Sequence, residues 1–242
     1  MKLLLQNIKQ LVQVEDDPVA LVSGKSMAEL PTIPDAFLLI HNELIEDFGH
    51  MSEMSRISLE DDVVTEIDCK GRHVIPAWCD SHTHIVYAGS REQEFVGRIK
   101  GYSYQKIARE GGGILNSARL LHETPAEVLF EQASSRIQEV MRTGTGAIEI
   151  KSGYGLNTAD ELKMLRVIEW LKQTTPVCIR STFLGAHAIP EEYKNNVSGY
   201  VDLIINEMIP QVASEELADF IDVFCEDGYF SADDTERILM AG

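Results

Sequence analysis

Apolar and polar positions change rhythm near Gly71. Before it, short apolar runs alternate with turn residues, and residues 3–8, 11–14, 36–41 and 63–67 read as strands. The stretches between them, among them Ser23-Gly24-Lys25-Ser26 and Pro31-Thr32-Ile33-Pro34, are rich in Pro, Gly, Ser, Asp and Glu. Strands this short and this closely spaced predict a small β-domain over residues 1–72, antiparallel or mixed.

After Gly71 the pattern becomes strand, loop, helix. Residues 74–79 form an apolar strand that ends at a polar cluster. Thr124-Pro125-Ala126-Glu127 has the chemistry of a helix start, with Thr as N-cap. Leu129, Ala133, Ile137, Val140 and Met141 then recur at helical spacing up to Gly144. Residues 147–150 predict the next strand. Thr158-Ala159-Asp160-Glu161 predicts a second capped helix, with Leu162, Leu165, Ile168 and Leu171 on one face. Strands over 177–184 and 221–225 follow, and a last helix is capped at Ser231 with Asp234 in its first turn. Alternating strands and helices imply parallel βαβ units, about four of them over residues 73–242. A complete (β/α)8 barrel takes roughly 250 residues, so this is either an open four-unit sheet or the front half of a barrel.

Composition narrows the function classes. The 242 residues carry 21 Lys+Arg against 39 Asp+Glu, a net charge of −18, with 44% hydrophobic residues. A core can form, and phosphate backbones and anionic lipid are repelled, so nucleic acid and membranes are poor partners. The N-terminal apolar run is too short for a signal-peptide core, and no run nears the roughly 18 apolar residues of a spanning helix. Cys69, Cys79, Cys178 and Cys225 form no C-x-x-C pair. They are expected to be reduced, mostly buried thiols in a cytoplasmic protein.

Candidate chemistry sits at the predicted strand ends. In Asp80-Ser81-His82-Thr83-His84 the alternation of a strand would project His82 and His84 to the same side, as two ligands of one divalent ion; a chance H-x-H is the plainer alternative. Arg91 could grip a substrate carboxylate bidentately, or pair at the surface with Glu92 or Glu94. In Glu149-Ile150-Lys151-Ser152-Gly153-Tyr154-Gly155, Glu149 and Lys151 share a face as a buried ion pair, or Lys151 is a carboxylated metal bridge. The flanking glycines let the loop present the Tyr154 phenol. His187, in Phe183-Leu184-Gly185-Ala186-His187-Ala188-Ile189-Pro190, is a core histidine or a functional one before a Pro-started helix. Gly111-Gly112-Gly113 lacks the Lys-Ser/Thr of a phosphate loop and reads as an active-site loop. His41, His50, His73 and His122 read as structural or exposed.

A small β-domain followed by an apolar strand and Asp80-x-His82-x-His84 resembles the amidohydrolase superfamily of metal-dependent hydrolases. Within it, three segments in the same order resemble the imidazolonepropionase family. They are the His82–Arg91 segment, Glu149-Ile150-Lys151-Ser152-Gly153-Tyr154-Gly155-Leu156 and Thr182-Phe183-Leu184-Gly185-Ala186-His187, and Asp222-Val223-Phe224-Cys225-Glu226 fits as well. The resemblance implies a TIM-type (β/α)8 barrel of the amidohydrolase kind, only about its first half present, after a β-sandwich-like N-terminal segment. It implies hydrolysis of the ring amide of 4-imidazolone-5-propanoate to N-formimidoyl-L-glutamate in histidine degradation. His82 and His84 would bind one zinc or iron ion, and Arg91, Tyr154 and His187 would contact substrate, His187 also acting in catalysis. The family usually has Pro-Gly where this chain has Pro76-Ala77. Its remaining ligands, a His and an Asp, and its acidic general-base region are expected beyond Gly242, so residues 1–242 alone are expected to be inactive. A full-length homodimer is compatible with the resemblance. Another cyclic-amide hydrolase or aminohydrolase of the superfamily, or an inactive interaction form, are the alternatives.

Overall fold

The computed structural model describes residues 2–15, 17, 19–57, 59, 64–90, 92–102 and 113–242, and the chain divides into two units, Met1–Pro76 and Ala77–Gly242. In the first unit, β1 (Lys2–Val12) merges the two strands expected there. Asn7 takes φ 56° and the pairing shifts between Leu5 and Ile8, so a bulge carries the strand through its polar interruption. β2 (Thr32–His41) begins inside the segment expected to be a turn. Its Pro34 is tolerated because the neighbouring β3 (Leu44–His50) pairs only with residues 36–41, leaving no ladder donor missing on that side. β3 itself was hidden from the apolar pattern by Glu46 and Asp47. β4 (Val64–Asp68) and β5 (His73–Val74) join β1 in parallel. The result is a mixed sheet of order β3-β2-β1-β4, with β5 also on β1. Alternate residues of β2 serve two apolar clusters, Ala36 and Leu38 in one, Phe37 and Leu39 in the other, so both faces of the sheet carry core.

The second unit is a curled parallel half-barrel sheet of β6 (Trp78–Thr83), β7 (Thr145–Lys151), β8 (Cys178–Ala186) and β9 (Phe220–Val223), in that order. Residues 73–74 belong to the first sheet, so the expected strand over 74–79 is replaced by β6, which runs through the Asp80-x-His82 motif itself. The helices are α1 (Glu92–Ile99), α2 (Ile114–Glu123), α3 (Ala126–Arg142), α4 (Thr158–Thr174), α5 (Val197–Leu203), α6 (Ile209–Ser214) and α7 (Ala232–Ala241). A π-helical turn, Ile204–Met208, joins α5 to α6 just before Pro210, which has no N–H to donate. None of the described helices is long and apolar enough to cross a membrane.

Strand alternation and helix periodicity meet in one core. Ile148 and Ile150 of β7 are buried with Leu129, Ala133 and Ile137 of α3 and Leu165, Ile168 and Leu171 of α4. Phe130 and Trp170 stack across α3 and α4 at 3.8 Å between ring centroids. Two caps differ from expectation. Thr124 terminates α2 and donates its hydroxyl to Leu120 O, leaving Pro125 at the N-cap of α3. Asn157, not Thr158, caps α4 by accepting from Asp160 N–H. The expected Ser231 and Asp234 capping box of α7 is present. Pro190 opens only a short 3-10 turn, Glu191–Tyr193. All four cysteines are free, but only Cys69 is buried. Cys79 and Cys178 align with Ala147, on the side of the sheet away from Ile148 and Ile150, which exposes them.

At the start of β9, Asp219 ties three elements together. It accepts from Lys172 Nζ (2.8 Å), Arg180 Nη1 (2.9 Å) and Ser181 N–H (2.8 Å). Burial alone would raise its pKa, but these bonds outweigh burial and hold the carboxyl well below the usual range. A depressed carboxylate contributes stability that is present above the unfolded pKa, near 3.9, and is lost as pH falls. Asp219→Asn is therefore expected to lower unfolding free energy by about 1.5–3 kcal/mol at neutral pH. The deficit should shrink as pH falls through about 4, as read from urea unfolding of both forms.

Candidate active site

Loops that follow parallel strands gather at the carboxyl ends of those strands, and the candidate residues meet there. His82 is the penultimate residue of β6 and His84 follows its end; Tyr154 lies in the loop after β7, and His187 follows β8 directly. The His84 ring stacks on His187 (centroids 4.8 Å apart, 8° between planes) and lies 5.1 Å from Tyr154 and 5.7 Å from His82. Tyr154 and His187 are 5.4 Å apart, and Phe224, just past β9, meets His187 edge-on at 6.0 Å. His84, Tyr154, Tyr87 and Ser117 help line a cleft of about 340 Å³. Four of the five expected site residues thus come together. Arg91 lies outside the described residues, as do Gly111 and Gly112.

The His84 and His187 rings are held toward the neutral form. Burial, with the neighbouring His187 and His82, lowers the His84 pKa to about 4. Burial also lowers that of His187. Nδ1 of His187 lies 3.0 Å from Gly153 O. A carbonyl only accepts, so Nδ1 carries the proton and Nε2 of the neutral ring is the acceptor. Among the described residues, His84 Nδ1 is buried without a hydrogen-bond partner. An orphaned ring nitrogen of that kind, beside a second histidine, fits a pair of metal ligands. Among the described residues no group of three His, Cys, Asp or Glu side chains could hold a metal ion.

Behind the rings lies a charged network. Buried Lys151 donates to Glu149 Oε1 (2.6 Å) and Asp222 Oδ2 (3.0 Å), and Thr182 Oγ1 also donates to Glu149 Oε1. Burial opposes the ammonium, yet these two carboxylates raise the Lys151 pKa above its ordinary value. Of the two readings left open by the sequence, the ion pair is the one observed, with Asp222 as an additional partner. The alternation that puts Ile148 and Ile150 in the core signalled Glu149 and Lys151, whereas Asp222 is brought in from β9 by the fold.

Two helix residues missed by motif reading secure the loops. Arg136 of α3 donates Nη1 to Ile85 O (2.9 Å) and Tyr87 O (3.0 Å), with its guanidinium carbon 3.5 Å from the Tyr87 ring centre. Glu161 of α4 is fully buried and accepts from the N–H groups of Gly153, Gly155 and Leu156. Its signal was the Thr158-x-x-Glu161 spacing, read as a capping box.

Solved structures share the fold. A triazine hydrolase from Arthobacter aurescens matches with a TM-score of 0.54 at 12% identity, over 98% of this chain and 49% of its own. Guanine deaminase from E. coli matches with 0.51 at 13%, over 88% and 42%. An atrazine chlorohydrolase from Arthrobacter aurescens TC1, complexed with zinc, matches with 0.52 at 13%, over 98% and 49%. At such identities the likeness is one of fold. No family model matches the sequence. Curated relatives match far more strongly. Imidazolonepropionase from Flavobacterium johnsoniae is 56% identical over 239 residues, 99% of this chain and 57% of its own length. That of Christiangramia forsetii is 56% identical over 241 residues, 100% and 58%. The chain is thus similar to imidazolonepropionases along its whole length. It spans about 57% of the length of the curated relatives it matches.

Gly153 couples two of these loops. At φ 107° it holds a conformation that L side chains rarely adopt, and a Cβ there would lie 2.8 Å from His187 Cβ and Nδ1 and 2.9 Å from Leu184 O. Gly153→Ala is expected to cost about 1–3 kcal/mol, from backbone strain and contact with His187. Urea denaturation measures it, and wild-type stability in the variant would contradict this geometry.

Proposed function

We propose that this chain supplies the metal-binding pair and the first substrate contacts of an enzyme that hydrolyses the ring amide of 4-imidazolone-5-propanoate to N-formimidoyl-L-glutamate, in histidine degradation. The observation that carries the reading is the meeting of His82, His84, Tyr154 and His187 at adjacent strand ends, in a chain 56% identical to imidazolonepropionases over its whole length. In this reading Met1–Pro76 belong to a small β-sandwich-like domain and Ala77–Gly242 form the first half of a (β/α)8 barrel.

His82 and His84 would hold one zinc or iron ion. When bound, such an ion lowers the pKa of water toward neutrality and polarises the lactam carbonyl. The low pKa of His84 keeps its ring available as a ligand at neutral pH. Arg91 would grip the propionate carboxylate in a bidentate fork, and the Tyr154 phenol would meet the polar edge of the ring. His187 has a defined part. With Nδ1–H donated to Gly153 O, its Nε2 can receive a proton during attack on the carbonyl carbon and pass it to the ring nitrogen as the C–N bond breaks. This is the chemistry of a cytoplasmic enzyme acting on a small molecule, with no nucleic-acid or membrane partner. A homodimer of the full-length protein is compatible with it.

The product of the complete gene, loaded with zinc or iron, is expected to consume the imidazolone absorbance and release N-formimidoyl-L-glutamate, leaving hydantoin and dihydroorotate intact. Ring opening of either of those in preference would favour another cyclic-amide hydrolase, and no ring opening at all would favour an interaction form. Arg91→Ala should raise KM by roughly 10- to 100-fold, the value of losing a charge-assisted pair. An unchanged KM would remove Arg91 from the site.

A further inference from the structure

The loop carrying Tyr154 has no regular structure of its own, yet three of its backbone N–H groups converge on one side chain. Glu161 is 0% exposed. Its Oε1 accepts from Gly155 N–H at 2.7 Å and Leu156 N–H at 3.1 Å, and its Oε2 from Gly153 N–H at 3.0 Å. The Ser152 side chain is a further hydrogen-bond partner, and Ser152 Oγ in turn accepts from Leu184 N–H at 2.9 Å on β8. Burial raises the Glu161 pKa, and the converging Ser152, Leu156, Gly155 and Gly153 donors work against that rise because they suit the acceptor-only carboxylate.

The fit is tight on both sides of the phenol. A Cβ at Gly155 would lie 2.3 Å from Glu161 N, so the loop presses against the first turn of α4. Leu156 adopts φ 55°, a left-handed conformation that a non-glycine residue keeps only where its surroundings enforce it. Gly153, bonded to Glu161 through its N–H, bonds to His187 through its carbonyl. One carboxylate therefore fixes the loop on either side of Tyr154 and, through Gly153, the tautomer of His187.

We propose that Glu161 is the positioning residue of this site: its buried carboxylate shapes the 152–156 loop so that Tyr154 and His187 face the substrate. Glu161 itself touches no reacting atom. The proposal rests on the ring-opening reading for its kinetic consequence, and on the hydrogen bonds alone for its structural one.

Glu161→Gln, made in the metal-loaded product of the complete gene, separates the two. The amide places NH2 toward donors on one side, so at least one loop bond is lost while shape is kept. Amide hydrogen exchange at Gly153, Gly155 and Leu156 is expected to accelerate at least roughly tenfold, with protection in α4, β7 and β8 retained. The fluorotyrosine NMR line of Tyr154, assigned by its loss in Tyr154→Phe, should shift or broaden. On imidazolone propionate, kcat/KM should fall roughly 10- to 100-fold, chiefly through KM. In a Tyr154→Phe background the same change should cost less than about twofold, because the residue acts through that phenol. Equal losses in both backgrounds, or unchanged exchange and an unchanged Tyr154 line, would overturn the proposal. If the wild type opens no imidazolone ring, the functional reading fails, while exchange and the Tyr154 line still decide the role of Glu161. Should Glu161→Gln not fold, Glu161→Asp keeps the carboxyl but shortens its reach and is expected to give the same losses.

Discussion

The two-residue alternation of β7 is the constraint on which the second unit depends. Ile148 and Ile150 enter the core beneath α3 and α4, which commits Glu149 and Lys151 to the opposite face. A buried ammonium is expensive unless it is paired. Lys151 meets that requirement by bonding Glu149 within its own strand and Asp222 on β9, while Thr182 of β8 bonds Glu149 between them. Three adjacent strands are thereby cross-linked just below their carboxyl ends, the level at which the loops of the candidate site depart. The stacked His84 and His187 rings and Tyr154 owe their meeting to that shared level.

The loops are then secured from the helix layer by groups chosen to match the backbone. Carbonyls at Ile85 and Tyr87 face a cation, Arg136, whereas N–H groups at Gly153, Gly155 and Leu156 face the carboxyl oxygens of Glu161. Neither arrangement needs regular structure in the loop, because each buried or partly buried side chain takes the place of a secondary-structure partner. The glycines flanking Tyr154 serve the same end, removing side chains where the loop touches His187 and α4.

Sequence patterns revealed the layers of this unit better than its supports. The periodic apolar faces of α3 and α4, the core residues of β7 and the Ser231 cap were readable because each depends on neighbours a few residues away. The H-x-H pair and the Gly-Tyr-Gly loop were readable for the same reason. The roles of Asp222 and Arg136 were not, since their partners lie on distant elements and only folding brings them together, and Glu161 was read only as part of a helix cap. In the first unit, charge masked β3, and a bulge at Asn7 joined runs that looked like two strands. Turn-like residues at 31–34 were compatible with a strand because the neighbouring strand ends before Pro34. Thr124 had N-cap chemistry, but the preceding helix claimed it as its terminator.

The account centres on His82 and His84 as two ligands of one ion at a shared strand-end site. Nδ1 of His84, buried and without a hydrogen-bond partner among the described residues, is the feature that a bound ion would resolve. Zinc K-edge X-ray absorption on the zinc-loaded product of the complete gene tests this most directly. The account predicts imidazole scattering from a first shell near about 2.0 Å, diminished in His82→Ala and His84→Ala. A zinc shell free of imidazole, or one unaltered by both substitutions, would contradict it.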